Sequence, residues 1–194
     1  MLRPLITSLC LALASLVAPA GHAAELTPFA GISAGGNYRD TSNTNSYRID
    51  HGASGGVSLL WDSAPDKGYE LLYSHQDTHI RDVDISLQLD YLHFGGLYYF
   101  QGQQENWSPY VAGGLGITRV ATPGRDSDLL ASMNLALGGR WRISEQFGVR
   151  LELRAFGSLT SSTTLIECGT GCRIEVEGDA LYQVQGSIGV GYRF

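Results

Sequence analysis

The sequence predicts an all-β protein, an eight-stranded antiparallel up-and-down β-barrel that spans a membrane. Three observations carry this prediction. Apolar and polar residues alternate in eight segments, the connections between the segments are alternately short and longer, and aromatic residues gather beside the short connections. This combination is typical of a barrel with an apolar outer band, a polar lumen and an aromatic girdle.

The chain begins with the features of an export signal. Arg3 precedes an apolar run at residues 5–18, and Gly21-His22-Ala23 offers a Gly-x-Ala cleavage site. The apolar run is too short for a membrane helix. Residues 1–23 are therefore predicted to be a signal peptide, and residues 24–194 a single barrel domain.

The composition limits the possible binding partners and the cellular compartment of the protein. The net charge of the 194 residues is −6, and Lys67 is the only lysine. This acidic balance disfavours a nucleic-acid partner, because phosphate binding needs a basic surface. Two cysteines, Cys168 and Cys172, follow the signal, and an even number in an exported chain favours a disulfide. Gly169 and Gly171 give that small ring its backbone freedom.

The first three strands are expected near residues 29–38, 49–61 and 68–77. The first is glycine-rich and alternates weakly, whereas the other two keep apolar residues on one parity and mostly small or polar residues on the other. Residues of one parity share a face of a strand. The predicted lipid-facing residues of the second and third strands are Ile49, His51, Ala53, Val57, Leu59 and Trp61, then Tyr69, Leu71, Tyr73 and His75.

The fourth strand, residues 87–100, fits two registers. One register turns outward Leu87, Leu89, Tyr91, Leu97 and Tyr99. The other turns outward Leu92, Phe94, Tyr98 and Phe100, together with Asp90. A charged group facing lipid is costly unless it lies near the membrane interface. The first register is therefore favoured.

The remaining four strands alternate more regularly, and they begin near residues 109, 129, 149 and 182. Their predicted lipid-facing residues are Val111, Leu115 and Ile117; Leu129, Ala131, Met133, Leu135, Leu137, Trp141 and Ile143; Val149, Leu151, Leu153, Ala155 and Leu159; and Tyr182, Val184, Ile188, Val190, Tyr192 and Phe194. This strict period of two indicates strands with one apolar face.

The lengths of the connections distinguish a membrane barrel from a soluble sandwich. The periodicity of the strands alone does not distinguish them. The connections predicted to be short are 62–67, 101–108 and 144–146, and the longer ones are 39–48, 77–86, 120–128 and 160–179. The aromatic residues assigned to the short-turn rim are Phe29, Trp61, Tyr69, Tyr98, Tyr99, Phe100, Trp107, Tyr110, Trp141, Phe147, Tyr192 and Phe194. Short periplasmic turns and an interfacial belt favour the membrane barrel.

Residues 89–100 (LDYLHFGGLYYF) followed by 109–118 (PYVAGGLGIT) resemble the small outer-membrane β-barrel family of Gram-negative bacteria, which includes OmpX-type barrels and the OmpA transmembrane domain. Tyr192 and Phe194 resemble the terminal signal read by the barrel assembly machinery. The resemblance implies an outer-membrane location with both termini periplasmic. It also implies three kinds of partner: that machinery, periplasmic chaperones, and a bilayer with lipopolysaccharide. Family members include adhesins, structural barrels, narrow pores and a few lipid-modifying enzymes.

Five charged residues fall on the inward parity of their strands: Glu70, Arg140, Arg150, Glu152 and Arg154. Eight strands leave an interior that side chains just fill, so opposite charges there should pair. The favoured interpretation is a structural salt-bridge network that plugs the lumen. The alternative is a narrow or gated pore lined by the same charges.

Catalysis has weaker support. Ser74, His75 and Asp77 are close in sequence, but neighbouring residues of a strand point to opposite faces. His51 and His93 also fall on apolar parities, and His79 lies in an acidic loop whose spacing matches no Ca²⁺ site. No catalytic, metal or cofactor site is therefore predicted.

The expected function is that of a non-enzymatic barrel that contributes to envelope integrity, or to surface interaction with a ligand bound by its external loops. Two alternatives stay open: a narrow pore or port for small hydrophobic molecules, and an enzyme that modifies lipids of the outer leaflet.

Overall fold

The structure is a computed structural model of the chain. It describes residues 24–35, 37–39, 46–48, 51–80, 85–100, 106–121, 127–159, 165–168, 172–175 and 181–194. The predicted signal peptide, residues 1–23, lies outside the described residues. Among the residues described, none forms a helix of the length and apolarity that a membrane span requires.

Eight strands form one closed antiparallel barrel, which confirms the predicted fold class. Its strands are β1 (Ala24–Gly35), β4 (Gly52–Ala64), β5 (Lys67–Ile80), β6 (Ile85–Tyr99), β7 (Trp107–Ala121), β8 (Asp128–Arg142), β9 (Phe147–Ser158) and β12 (Leu181–Arg193). Two small hairpins stand apart from the barrel sheet: β2 (Asn37–Arg39) with β3 (Ser46–Arg48), and β10 (Leu165–Cys168) with β11 (Cys172–Glu175).

The barrel closes between its first and last strands. The Ala24 amide donates to the Phe194 carbonyl at 3.1 Å, and the Phe194 amide donates to the Ala24 carbonyl at 2.9 Å. Ala24 also pairs with Trp61 near the end of β4, while the Arg193 amide donates to Gln146 in the β8–β9 turn. The first residue of β1, Ala24, and the residue after β12, Phe194, therefore lie at the same rim as the β4–β5 and β8–β9 turns. This rim is here called the short-turn rim. The opposite rim is called the loop rim.

The alternation predicted for β4, β5, β7, β8, β9 and β12 agrees with the burial pattern. In β8, for example, Leu135 and Leu137 face outward, whereas Asn134 and Ala136 are buried in the lumen. In β9, Leu151 and Leu153 are exposed in the same way. The exposed set consists of large apolar side chains, as expected of a surface that contacts lipid.

The register favoured for β6 is wrong. Leu87, Leu89 and Tyr91 are buried in the lumen, as are Leu97 and Tyr99, and the opposite parity faces outward. Both faces of this strand are apolar, so its own periodicity does not choose between them. The choice follows from the lumen, where residues of this strand join two apolar clusters built from several strands. It also follows from partners on the neighbouring strands, which satisfy the outward carboxylate of Asp90 (below).

The predicted aromatic rim needs three corrections. Tyr99 and Tyr110 point into the lumen and are each 1% exposed. Phe29 packs against the loop-rim side of the core, because β1 begins at Ala24, earlier than the predicted position 29. The other assigned aromatic residues lie on outward positions near the short-turn rim: Trp61, Tyr69, Tyr98, Phe100, Trp107, Trp141, Phe147, Tyr192 and Phe194.

The connections depart from the predicted lengths, since β5 and β6 reach further toward the loop rim than expected. Only residues 81–84 separate these two strands, fewer than residues 100–106 between β6 and β7 at the short-turn rim. The predicted 39–48 and 160–179 loops each include part of a hairpin. Cys168 and Cys172 are direct register partners in the β10–β11 hairpin. Such partners have Cα atoms about 4.5–5.5 Å apart, which suits a disulfide. The disulfide itself stays a prediction.

Candidate functional site

The most elaborate group of side chains lies across the middle of the lumen. The alternation of β9 sends Arg150, Glu152 and Arg154 to its inner face, one above another. Glu70 comes from β5, which lies diametrically opposite β9, with three strands between them on either side. These four residues, with Ser58 and Tyr110, are called the cross-lumen network below.

Glu70 receives three hydrogen bonds. Arg154 Nη2 donates to its Oε2 at 2.7 Å, and Arg150 Nη2 donates to its Oε1 at 3.0 Å. Ser58 Oγ also donates to Oε1, at 2.9 Å. Because the two arginines and Glu70 come from opposite walls, these bonds tie the barrel together through its centre.

Glu152 completes the network between the two arginines. Arg154 Nε donates to its Oε1 at 2.7 Å, and Arg150 Nη2 donates to its Oε2 at 3.1 Å. The Tyr110 hydroxyl donates to the same Oε2 at 2.7 Å and accepts from Arg150 Nε at 3.1 Å. Arg154 Nη1 donates further to Asn134 Oδ1 at 2.6 Å.

The charges in the network balance. Two guanidinium groups alternate with two carboxylates, and their side chains are at most 9% exposed. Removing an ion from water costs several kcal/mol, which only close pairing and satisfied hydrogen bonds offset. The network meets that condition, so the four predicted residues Glu70, Arg150, Glu152 and Arg154 act together as a packed structural unit.

Arg140, the fifth predicted residue, lies outside this network. Its Nη2 pairs with Glu25 Oε2 at 2.8 Å, nearer the short-turn rim, and Thr27 Oγ1 donates to Glu25 Oε1 at 3.3 Å. Glu25 was not among the residues predicted to face the lumen. Glu25 and Thr27 are two positions apart and so share a face of the strand, a pattern that could have indicated a polar inner face. Both residues, however, precede the predicted start of the first strand.

Two buried apolar clusters flank the cross-lumen network, and Tyr110 belongs to both the network and one cluster. Toward the short-turn rim the buried cluster contains Leu60, Leu97, Tyr99, Tyr110, Ala112 and Ala136. Toward the loop rim it contains Leu72, Leu87, Leu89, Tyr91, Phe156 and Leu181. Tyr91 stacks on Phe156 with ring centroids 4.1 Å apart. A cavity of about 20 Å³ beside Glu70 and Arg150 has room for about one water molecule.

A histidine and a serine meet inside the lumen, although His93 was predicted to face lipid. His93 Nε2 lies 2.6 Å from Ser132 Oγ, and its Nδ1 lies 2.9 Å from Asn134 Nδ2. Such a pair resembles a base beside a nucleophile. His93 is however 1% exposed and packs beside Tyr91 and Phe156. The geometry supports a structural polar contact in the core.

Comparison with known proteins decides the family. A model of the outer membrane protein beta-barrel domain family matches residues 8–194. The chain belongs to this family. No curated protein sequence matches it significantly.

Solved structures of other outer-membrane barrels share the fold. Neisserial surface protein A has a TM-score of 0.64 at 14% identity, over 89% of this chain and 99% of that one. OprG from Pseudomonas aeruginosa has a TM-score of 0.56 at 13% identity, over 90% and 96%. Ail, the attachment invasion locus protein of Yersinia pestis, in complex with the heparin analogue sucrose octasulfate, has a TM-score of 0.52 at 14% identity, over 89% and 99%. At these identities the likeness shows the fold alone.

In a member of the outer membrane β-barrel family, polar groups on the outer face need a specific account. The Asp90 carboxylate accepts from the Tyr73 hydroxyl at 3.0 Å and contacts His75 Nδ1 at 2.7 Å through the same oxygen. Its other oxygen lies 3.4 Å from Arg119 Nη1. These partners satisfy the carboxylate that sequence reasoning had placed in the lumen.

The catalytic grouping considered for β5 is split by the barrel wall. His75 faces outward, whereas Ser74 is 1% exposed in the lumen and donates to Gln185 Oε1 at 3.2 Å. Asp77 is 3.3 Å from His75 Nε2 on the outer face. The acidic loop around His79, for which no metal site was predicted, involves side chains outside the described part of the chain.

The residues assigned to the terminal assembly signal form one aromatic surface. Tyr192 and Phe194 face outward and stack with centroids 6.2 Å apart. Phe147 lies 5.2 Å from Tyr192, across the β9–β12 pair. The C-terminal strand of this family member therefore presents its aromatic rings to the surroundings of the barrel.

Proposed function

We propose that the protein is a non-enzymatic outer-membrane barrel with a plugged, charged lumen. It contributes to envelope integrity or to surface interaction through its external loops. The observation that carries the proposal is the cross-lumen network, which joins opposite walls of the barrel through Glu70, Arg150 and Arg154. A barrel closed in this way leaves its loops as the accessible functional surface.

Two alternatives fit the family, and the lumen argues against the first of them. A pore needs a continuous water path, whereas the network fills the middle of the lumen and two buried apolar clusters flank it. An enzyme would need a reachable nucleophile beside a base, but Ser74 and His75 lie on opposite faces and Ser132 is buried with His93. An unchanged mass of lipid A after expression of the protein is the expected result. Loss of an acyl chain or a phosphate would support the enzyme.

The proposed orientation places both termini and the short-turn rim in the periplasm. Its support is the shared position of Ala24, Phe194 and the β4–β5 turn, and the outward aromatic residues of that rim. The surroundings are then the bilayer with lipopolysaccharide. Insertion would involve periplasmic chaperones and the barrel assembly machinery, acting on Tyr192 and Phe194.

The segment with the β10–β11 hairpin is the preferred ligand-binding loop. Residues 160–179 carry four acidic residues and one arginine, so their charge disfavours a polyanionic ligand of the kind seen with Ail. A neutral or basic partner fits better. The proposed disulfide of Cys168 and Cys172 would pre-order the hairpin and lower the entropy cost of binding.

Loop exchange tests the proposal. Residues 160–179 are replaced by a Gly/Ser segment of equal length, and residues 122–127 are exchanged in the matched control. We expect the first exchange to abolish adhesion of expressing cells to host-cell or matrix surfaces, with the control retaining it. The proposed role is wrong if cells expressing the unmodified protein, and cells expressing each exchanged protein, all show the same adhesion and the same detergent sensitivity as cells that lack the protein.

A further inference from the structure

A groove of about 410 Å³ opens on the outer surface of the barrel, near the short-turn rim. Its centre is a row of four paired positions across β5, β6, β7 and β8. In that row Tyr69 pairs with Gly96, Gly96 with Gly113, and Gly113 with Leu135. The two glycines form the floor, and the flanking tyrosine and leucine side chains form the walls.

Backbone packing does not require glycine at either floor position. A Cβ on Gly96 would have its nearest contact at 3.8 Å, and one on Gly113 at 3.5 Å, both ordinary van der Waals distances. Their neighbour Gly95 differs, because a Cβ there would collide with the Gly113 carbonyl. The floor glycines therefore leave open a space that side chains could fill.

The charged side chain of the groove lining, Lys67, lies at one end of the groove. Ser63 and the exposed Lys67 lie where the β4–β5 turn meets the rim, whereas Val111 and Leu135 line the rest. Lys67 pairs with Tyr98, which forms a further part of the wall. The groove thus offers an ammonium and a hydroxyl beside an apolar channel, the arrangement that an amphiphile with an anionic head requires.

We propose that this groove binds one phospholipid molecule. Its phosphate lies against Lys67, and one acyl chain lies over Gly96 and Gly113 toward Leu135. The volume is more than ten times the roughly 30 Å³ that a water molecule occupies, which suits a run of methylene groups. The lipid belongs to the periplasmic leaflet if the short-turn rim is periplasmic, a point that rests on the proposed orientation.

A second copy of the chain fits the groove less well. Stable protein interfaces bury about 1,000 Å² or more with close complementarity, whereas this feature is a narrow notch in a convex wall. The only lysine of the chain at its mouth favours an anion. Dimerisation through the groove would nevertheless be visible in the same experiment.

Native mass spectrometry tests the proposal. The full chain is folded into vesicles of equal phosphatidylethanolamine and phosphatidylglycerol, then extracted in mild detergent. We expect one retained phospholipid, and at least tenfold lower occupancy in a Gly96→Leu, Gly113→Leu variant, whose new side chains fill the groove. Gly186→Leu is the matched control, because its Cβ points into open space on the opposite wall. These vesicles have the same lipids in both leaflets, so the outcome does not depend on orientation.

Lys67→Gln supplies a second readout. It should lower the preference for phosphatidylglycerol over phosphatidylethanolamine at least threefold, with the barrel folded as judged by its heat-dependent mobility in electrophoresis. Equal lipid retention by the filled variant and the control would overturn the proposal. So would a dimer that the leucine substitutions dissociate, since the groove would then hold a second copy.

Discussion

Glu70 offers the sharpest test of the packed lumen, because it bonds to both arginines of the opposite wall. Glu70→Gln keeps the size of the side chain and removes its charge. The network would then hold two guanidinium groups against one carboxylate, in a layer where Glu70, Arg150 and Arg154 are at most 5% exposed. Removing one partner of a buried ion pair costs about 3–5 kcal/mol. We therefore expect the free energy of unfolding to fall by about 3–5 kcal/mol.

Urea unfolding in phospholipid vesicles, followed by tryptophan fluorescence, measures the change. Glu145→Gln is the control, since Glu145 is exposed in the β8–β9 turn. Adding Arg154→Gln to Glu70→Gln restores the charge balance, because Arg150 and Glu152 stay paired. The double variant should be more stable than the sum of the single effects by about 0.5–3 kcal/mol. A Glu70→Gln protein within about 0.5 kcal/mol of wild type would refute the reasoning.

Three further predictions follow from single contacts. Asp90→Asn removes the charge that organises the outward polar cluster and should cost about 1–2 kcal/mol in the same assay; no loss would mean that the cluster is incidental. Gly95→Ala places a methyl group against a facing carbonyl and should cost about 1–3 kcal/mol. Gly186→Ala should change stability by less than about 0.5 kcal/mol, and equal effects of the two alanines would contradict the packing. The unreduced mature protein should not react with a thiol reagent in denaturant, whereas reaction at Cys168 or Cys172 would exclude the disulfide.

The inward orientation of charged residues could be predicted where a single strand alternates regularly between charged and apolar residues. Arg150, Glu152 and Arg154 alternate with leucines on β9, so the inward face of that strand was evident from its sequence. Glu70 was placed in the same way on β5. That Arg140 joins a separate pair was not predictable, because its partner Glu25 comes from the first residues of β1.

The register of β6 shows that the residue pattern of a single strand does not always determine which of its faces points outward. Leu92 and Phe94 are as apolar as Leu89 and Tyr91, so the strand itself holds no preference. The structure turns Asp90 outward because Tyr73 and Arg119 on the two neighbouring strands stabilise it there. Those partners are distant in sequence, and the lumen that Leu89 and Tyr91 fill is assembled from several strands.

Single-channel recording in planar bilayers tests most directly the claim that the lumen is closed. The wild-type protein is compared with Glu152→Gln, which weakens the network and leaves the two apolar clusters unchanged. A plugged barrel predicts a flat current baseline for both proteins at all applied voltages. Discrete conductance steps in the wild type, enlarged or more frequent in the variant, would contradict the account and assign the charged residues to a pore.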